Sequence, residues 1–83
     1  MIVTRAVVAA QFTAYLKGNL PLPDLVDWAE DAMMNAEFDP ADADIIRPIV
    51  ARLGAADVRA FALDWQECQA MLAQLGYVVR LEQ

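Results

Sequence analysis

The stretch that decides the fold runs Leu22-Pro-Asp-Leu-Val-Asp-Trp-Ala-Glu-Asp-Ala-Met-Met-Asn-Ala36. At about 100° per residue, its apolar side chains fall on one face of a helix. These side chains are Leu22, Leu25, Val26, Ala29, Ala32, Met33 and Ala36. The opposite face carries four acids, namely Asp24, Asp27, Glu30 and Asp31. The stretch therefore predicts an amphipathic helix, and Pro23 is harmless in its first turn, where the N–H groups have no helical partner.

The same periodicity predicts a helix towards each end of the chain. The first begins at Thr4 as N-cap and ends before Gly18, which takes the left-handed position. The fourth follows Asp64, an N-cap that forms a capping-box-like pair with Glu67, and stops at Gly76. Their predicted core residues are Val8, Phe12, Tyr15 and Leu16 in the first helix and Trp65, Cys68, Met71, Leu72 and Leu75 in the fourth.

A third helix is predicted to begin at Asp39 as N-cap, with Pro40 in its first turn, and to end at Leu53. Its core face consists of Ile45, Ile46, Ile49, Val50 and Leu53. Pro48 lies inside this helix, where a proline removes a hydrogen bond and costs about 3 kcal/mol or more. Because Pro48 shares the solvent side with Arg52, we expect one kinked helix rather than two separate ones.

The tail Tyr77-Val-Val-Arg-Leu81 has strand propensity rather than a helical pattern. A strand needs a partner, and three remain open: residues 61–63, residues 1–3, or another chain. The expected fold is mainly α, a four-helix small domain with a third helix kinked at Pro48 and a short C-terminal β-strand. Residues 1–83 are expected to form a single domain.

Charge and composition narrow the class of partner. The chain has twelve acids against six bases, a net charge of −6, and its residues 24–44 hold eight acids and no base. Direct nucleic-acid binding needs a basic footprint, so we expect none. No apolar stretch reaches the length of a membrane span, and no export signal is visible, so we expect no membrane association and a cytoplasmic location. The 59% of apolar residues favours surface covered by a second chain.

The residue types that most often carry catalysis are missing. The sequence has no histidine and no serine, which removes the commonest general base, the Ser-His-Asp triad and histidine metal ligation. The single cysteine, Cys68, lies in an apolar stripe and is expected to be a buried structural thiol. Asp39, Asp42 and Asp44 lack the glycine and glutamate of a calcium loop. We therefore expect no enzymatic activity, no cofactor and no metal.

Five residues of the second helix are candidates for partner binding. Asp24, Asp27 and Asp31 recur at i, i+3 and i+7 and line one ridge. Trp28 lies about 100° from the centre of the apolar face, and Met34 lies on the acidic side. Apolar anchors with a charged rim are typical of protein interfaces. The alternatives are that the acids form a solvated face and that Trp28 packs at the boundary of the core, under a loop or the fourth helix.

Four stretches carry a resemblance. They are Leu25-Val-Asp-Trp-Ala-Glu30, Ala51-Arg-Leu-Gly-Ala-Ala-Asp-Val-Arg-Ala-Phe61, Asp64-Trp-Gln-Glu-Cys68 and Leu75-Gly-Tyr-Val-Val-Arg80. Together they resemble a family of small bacterial proteins with no assigned activity. In size, charge and helicity the chain is also similar to small acidic immunity and antitoxin proteins, which neutralise basic nuclease partners. That likeness implies a basic protein partner and assigns no binding residues.

Two functions follow from these patterns. The first is a small acidic protein-binding module, of the inhibitor, immunity or antitoxin kind, for a basic partner. The alternative is a self-associating scaffold protein without catalytic activity, such as a homodimer, which the apolar surplus and the unpaired tail favour.

Overall fold

The computed structural model describes residues 2–58 and 62–77 of the chain. The described part is mainly helical, with four helices and a small parallel sheet of two strands. In chain order the elements are β1 (Ile2–Val3), α1 (Arg5–Leu16), α2 (Leu22–Asn35), β2 (Glu37–Phe38), α3 (Ala43–Gly54) and α4 (Trp65–Gln74). The four predicted helices are therefore confirmed, although the third begins later than predicted.

The core lies where the apolar stripes of the helices meet. Each helix contributes side chains that are buried almost completely: Val8 and Phe12 from α1, Leu25 and Ala29 from α2, Ile46, Val50 and Leu53 from α3, and Cys68 and Leu72 from α4. Burying one large apolar side chain contributes roughly 1.5–3 kcal/mol, so helical periodicity in the sequence translates directly into stability. The packing of α2 against α3 places the acidic face of α2 outside.

Two residues predicted to be core are instead exposed. Met33 is 40% exposed and Trp65 is 37% exposed. Met33 faces Ala51 and Gly54 of α3 and Ala55, the residue that follows the helix, and these three residues are too small to cover it. Trp65 is the first residue of α4 and lies at the end of the helix away from the buried part of its stripe.

The ends of α1 and α4 follow the predicted capping chemistry in part. Thr4 Oγ1 accepts a hydrogen bond from the Val7 N–H at 3.2 Å, and Asp64 Oδ1 accepts one from the Glu67 N–H at 2.7 Å. Gly18 has positive φ, as predicted, and Gly76, predicted to stop the fourth helix, has positive φ as well.

The reciprocal half of the predicted capping box is wrong. The Glu67 carboxylate accepts hydrogen bonds from Arg52 Nε and Nη2, both at 2.7 Å. A bidentate pair with a guanidinium is stronger than a bond to a neutral N–H, and it binds α3 to α4. Arg52, predicted to point into solvent, is therefore half-buried at a helix junction.

The start of the third helix was also predicted wrongly. The α3 helix begins at Ala43 with Asp42 at the N-cap position, and its helical residues continue through Pro48. Asp39 instead donates its N–H to the Val3 carbonyl at 2.9 Å, while its side chain accepts the Ala41 N–H at 3.0 Å. The sheet between β1 and β2 therefore holds this segment in a turn, whereas the kink at Pro48 stays a prediction.

The predicted C-terminal strand lies almost entirely outside the described residues. Its first residue, Tyr77, donates its N–H to the Leu72 carbonyl at 2.9 Å and so completes the end of α4 instead of beginning a strand. Residues 78–81 are not among those described. Of the partners proposed for this strand, Ile2 and Val3 pair in parallel with Glu37 and Phe38.

Candidate partner-binding site

The acids of α2 form a continuous exposed ridge. Asp24, Asp27, Glu30 and Asp31 are all exposed. A spacing of three or four residues brings neighbouring carboxylates to the same side of the helix, where their negative charges repel one another. In the described part of the chain, the ion pairs Arg5–Asp42 and Arg52–Glu67 use acids outside α2. The ridge is thus a surface of one charge sign.

Trp28 lies beside this ridge but is not free of the core. Its side chain is half-buried and packs against the core cluster. Trp28 therefore packs at the boundary of the core, which was the alternative predicted from the sequence. A large ring about 100° from the centre of the apolar face can still lean towards the core. Whether Trp28 also contacts a partner stays a prediction.

Met34 is the most exposed large apolar residue in the described part of the chain, at 76%. It follows Glu30 by four residues and Asp31 by three, so both carboxylates neighbour it on the helix surface. An unbranched methionine side chain adapts to irregular partners, and methionine is frequent at adaptable binding surfaces. The predicted combination of an apolar side chain with acidic neighbours is therefore present at Met34.

A groove lies on the surface where α2 packs against the end of α3. It has a volume of about 410 Å³ and is lined by Glu30, Met33, Met34, Ala51, Gly54 and Ala55, residues that we call the methionine groove. A Cβ atom at Gly54 would lie 3.6 Å from Glu30 Cγ and 3.8 Å from Ala29 Cβ, so the two helices approach closely there. The small α3 residues form one wall and the methionines form the other.

The sequence identified half of this groove. It placed Met34 among the acids, but it assigned Met33 to the core and did not single out Ala51, Gly54 or Ala55. The α3 wall leaves one signal in the sequence, a run of small residues one turn apart. Because such runs are common where two helices pack closely, this signal does not by itself indicate a groove. Contact between α2 and α3 is a tertiary property that helical periodicity does not specify.

Among the cavities lined by described residues, two more lie away from the methionine groove. One, of about 430 Å³, runs along the alanines of α1 between Ala6 and Lys17, and Tyr77 lies at its edge. The other, of about 250 Å³, lies between α3 and α4 and is bordered by the Arg52–Glu67 pair. Both lack the combination of exposed methionine and acid that defines the methionine groove.

The Cys68 thiol is buried, as predicted. Burial raises the pKa of this thiol above its ordinary value of 9.0, and the negative charges of Glu67 and Asp64 raise the pKa further. The thiolate is the reactive form of cysteine, so at neutral pH this side chain is a protonated member of the core.

No group of three or more acid or thiol side chains within 2–58 and 62–77 is arranged to hold a metal ion. Across the same residues, none of the helices combines the length and apolar character needed to cross a membrane. Comparisons with protein-family models, curated proteins and solved structures find no match for the chain. The resemblance drawn from the sequence therefore stays a prediction, and the site is interpreted from its own geometry.

Proposed function

We propose that this protein is a small acidic protein-binding module whose partner is a basic protein. The observation that carries the proposal is Met34, which is 76% exposed on the acidic side of α2. An apolar side chain in water gains free energy when a partner covers it, at about 25 cal/mol per Å². The carboxylates beside it supply the charged rim that such an interface needs.

Charge accounts for the choice of a basic partner. Acids on one face attract cations over several ångströms and raise the rate of association with a complementary surface. A face bearing Asp24, Asp27, Glu30 and Asp31 would repel nucleic-acid phosphates and anionic lipid headgroups. The proposed action is non-catalytic, of the inhibitor, immunity or antitoxin kind, and takes place in the cytoplasm.

Self-association is the second candidate function. It is supported by exposed apolar residues outside α2, namely Ile2 at 58% and Val58 at 50%. It would not use the acidic ridge, because a symmetric dimer would set like charges against one another. The two functions therefore place the contact on different surfaces.

The test is affinity capture from a lysate of the source organism, with three immobilised forms of the protein. The first is the natural chain, and the second carries Asp27→Lys and Asp31→Lys. The third is a matched control with Glu37→Lys and Asp44→Lys, which changes net charge equally at exposed acids outside α2. Circular dichroism verifies that all three fold.

The proposal expects the natural chain and the control to retain the same basic protein, identified by mass spectrometry, and the α2 variant to lose it. Binding of the purified partner should weaken as salt concentration rises. Equal capture by all three forms, or an acidic captured protein, would contradict the proposal. A concentration-dependent dimer in sedimentation, with no other protein retained, would favour the second candidate.

A further inference from the structure

We infer that the methionine groove binds one face of a basic amphipathic helix supplied by the partner protein. This inference rests on the proposed function and deepens it, because it names the part of the surface that provides specificity and the shape of the segment that fits there. The observations behind it are the exposure of two methionines, the form of the groove and the charges on its rim.

The two walls of the groove provide an apolar seat. Met33 and Met34 are 40% and 76% exposed, and both line the groove. Across from them, Ala51 and Ala55 lie one turn apart with Gly54 between, so no large side chain fills the space. The result is a shallow apolar depression of about 410 Å³ on the surface of the molecule.

The shape favours a helix as the occupant. The groove runs between two packed helices and is open to solvent, which is the arrangement that receives the apolar face of an amphipathic helix. A helix presents large side chains at i, i+3 or i+4, and i+7 along one stripe. Flexible methionines can adjust to such side chains without a backbone change.

The rim sets the charge of that helix. Glu30 lines the groove itself, and Asp27 and Asp31 lie seven and three residues before Met34, on the same side of α2. Lysine or arginine side chains flanking the apolar stripe of the partner would lie near these carboxylates. A second copy of this chain fits poorly, because its net charge of −6 adds repulsion at this rim.

The experiment uses a fluorescent synthetic peptide of leucine and lysine arranged with helical periodicity. One control peptide has the same composition in an order without an apolar face, and another replaces lysine with glutamate. Anisotropy titrations measure the affinity of each peptide for the full chain. The amphipathic lysine peptide should bind about tenfold or more tightly than the scrambled one, because only it places leucines in the groove.

Variants then locate the binding. The double variant Met33→Ser with Met34→Ser should lose about tenfold in affinity for the amphipathic peptide. The matched control, Ile2→Thr with Tyr77→Ser, changes two exposed apolar residues outside the groove and should bind as the natural chain does. Amide chemical-shift changes on peptide addition should concentrate at residues 30–34 and 51–55.

The outcomes separate this inference from the proposed function. Equal binding of the amphipathic and scrambled peptides, or no effect of the methionine double variant, overturns the groove while leaving an electrostatic surface for basic partners. Preference for the glutamate peptide overturns both. Shift changes at 30–34 and 51–55 that grow with protein concentration, without peptide, overturn the basic helix in favour of a second copy.

Discussion

The two flanks of α2 differ although Asp31 neighbours a residue on each of them. Trp28 lies on one flank, half-buried against the core, while Met34 lies on the other, 76% exposed. On the helical wheel Trp28 is about 100° from the centre of the apolar face and Met34 about 140° from it. A wide ring at the first angle reaches the core, whereas a side chain at the second angle cannot. One flank therefore packs against the core, and the other is exposed.

The largest effect is expected from Trp28→Ala, which tests the folding flank. A fully buried aromatic residue loses about 3–5 kcal/mol on truncation, and Trp28 is half-buried, so a loss of about 2–3 kcal/mol of unfolding free energy is expected. Urea denaturation followed by circular dichroism measures it. A change below about 0.5 kcal/mol, the size usual for surface substitutions, would mean that Trp28 does not contribute to the core.

A smaller loss of unfolding free energy is expected when the ion pair between α3 and α4 is broken. This junction bears on the comparison because α3 also forms one wall of the methionine groove. Glu67→Gln removes the charge that pairs with Arg52 across 2.7 Å. Both side chains are partly exposed, at 26% and 33%, so solvent screens the pair and the loss should be about 0.5–1 kcal/mol. Urea denaturation measures it, with Glu37→Gln as control. An equal loss in the control would show that the pair itself contributes nothing.

The buried Cys68 thiol of α4 gives a pH-dependent prediction. The pKa of Cys68 is raised in the folded chain. Below the ordinary value of 9.0 the thiol is protonated in both the folded and the unfolded chain, so it adds no pH dependence to the free energy of unfolding. Above that pH the unfolded chain loses the proton first, and unfolding becomes more favourable as pH rises. Comparing urea denaturation at neutral and alkaline pH in the natural chain and in Cys68→Ala measures this. The alkaline decline should be shallower in the variant, and identical declines would contradict a buried thiol.

The difference between local and tertiary properties also decides how much of the fold the sequence could predict. Helical periodicity predicted the stripes of all four helices because each depends on residues within two turns of each other. The sheet between β1 and β2 was missed, since two residues per strand give no alternating pattern and the strands lie far apart in the chain. That sheet also displaced the start of α3, where Asp39-Pro40 has the local form of an N-cap but Asp39 bonds to Val3.

The candidate site divides in the same way. Met34 could be predicted to be exposed because its angle on α2 is a local property. Met33 could not, since its exposure depends on which α3 residues face it. They are Ala51, Gly54 and Ala55, and with larger residues there the same α2 sequence would have a covered methionine. Sequence patterns thus define each helix surface, and packing between helices decides which surfaces remain open.

The smallest effect on stability is expected from Met34→Ala, which tests the exposed flank of α2. A side chain 76% exposed has little to lose in the folded chain, so unfolding free energy should change by less than about 0.5 kcal/mol. Alanine is also a strong helix former, so α2 itself is not weakened. The same urea series measures it beside Trp28→Ala. A loss as large as that of Trp28→Ala would mean that a second copy covers Met34 in solution, and the two flanks would then be equivalent.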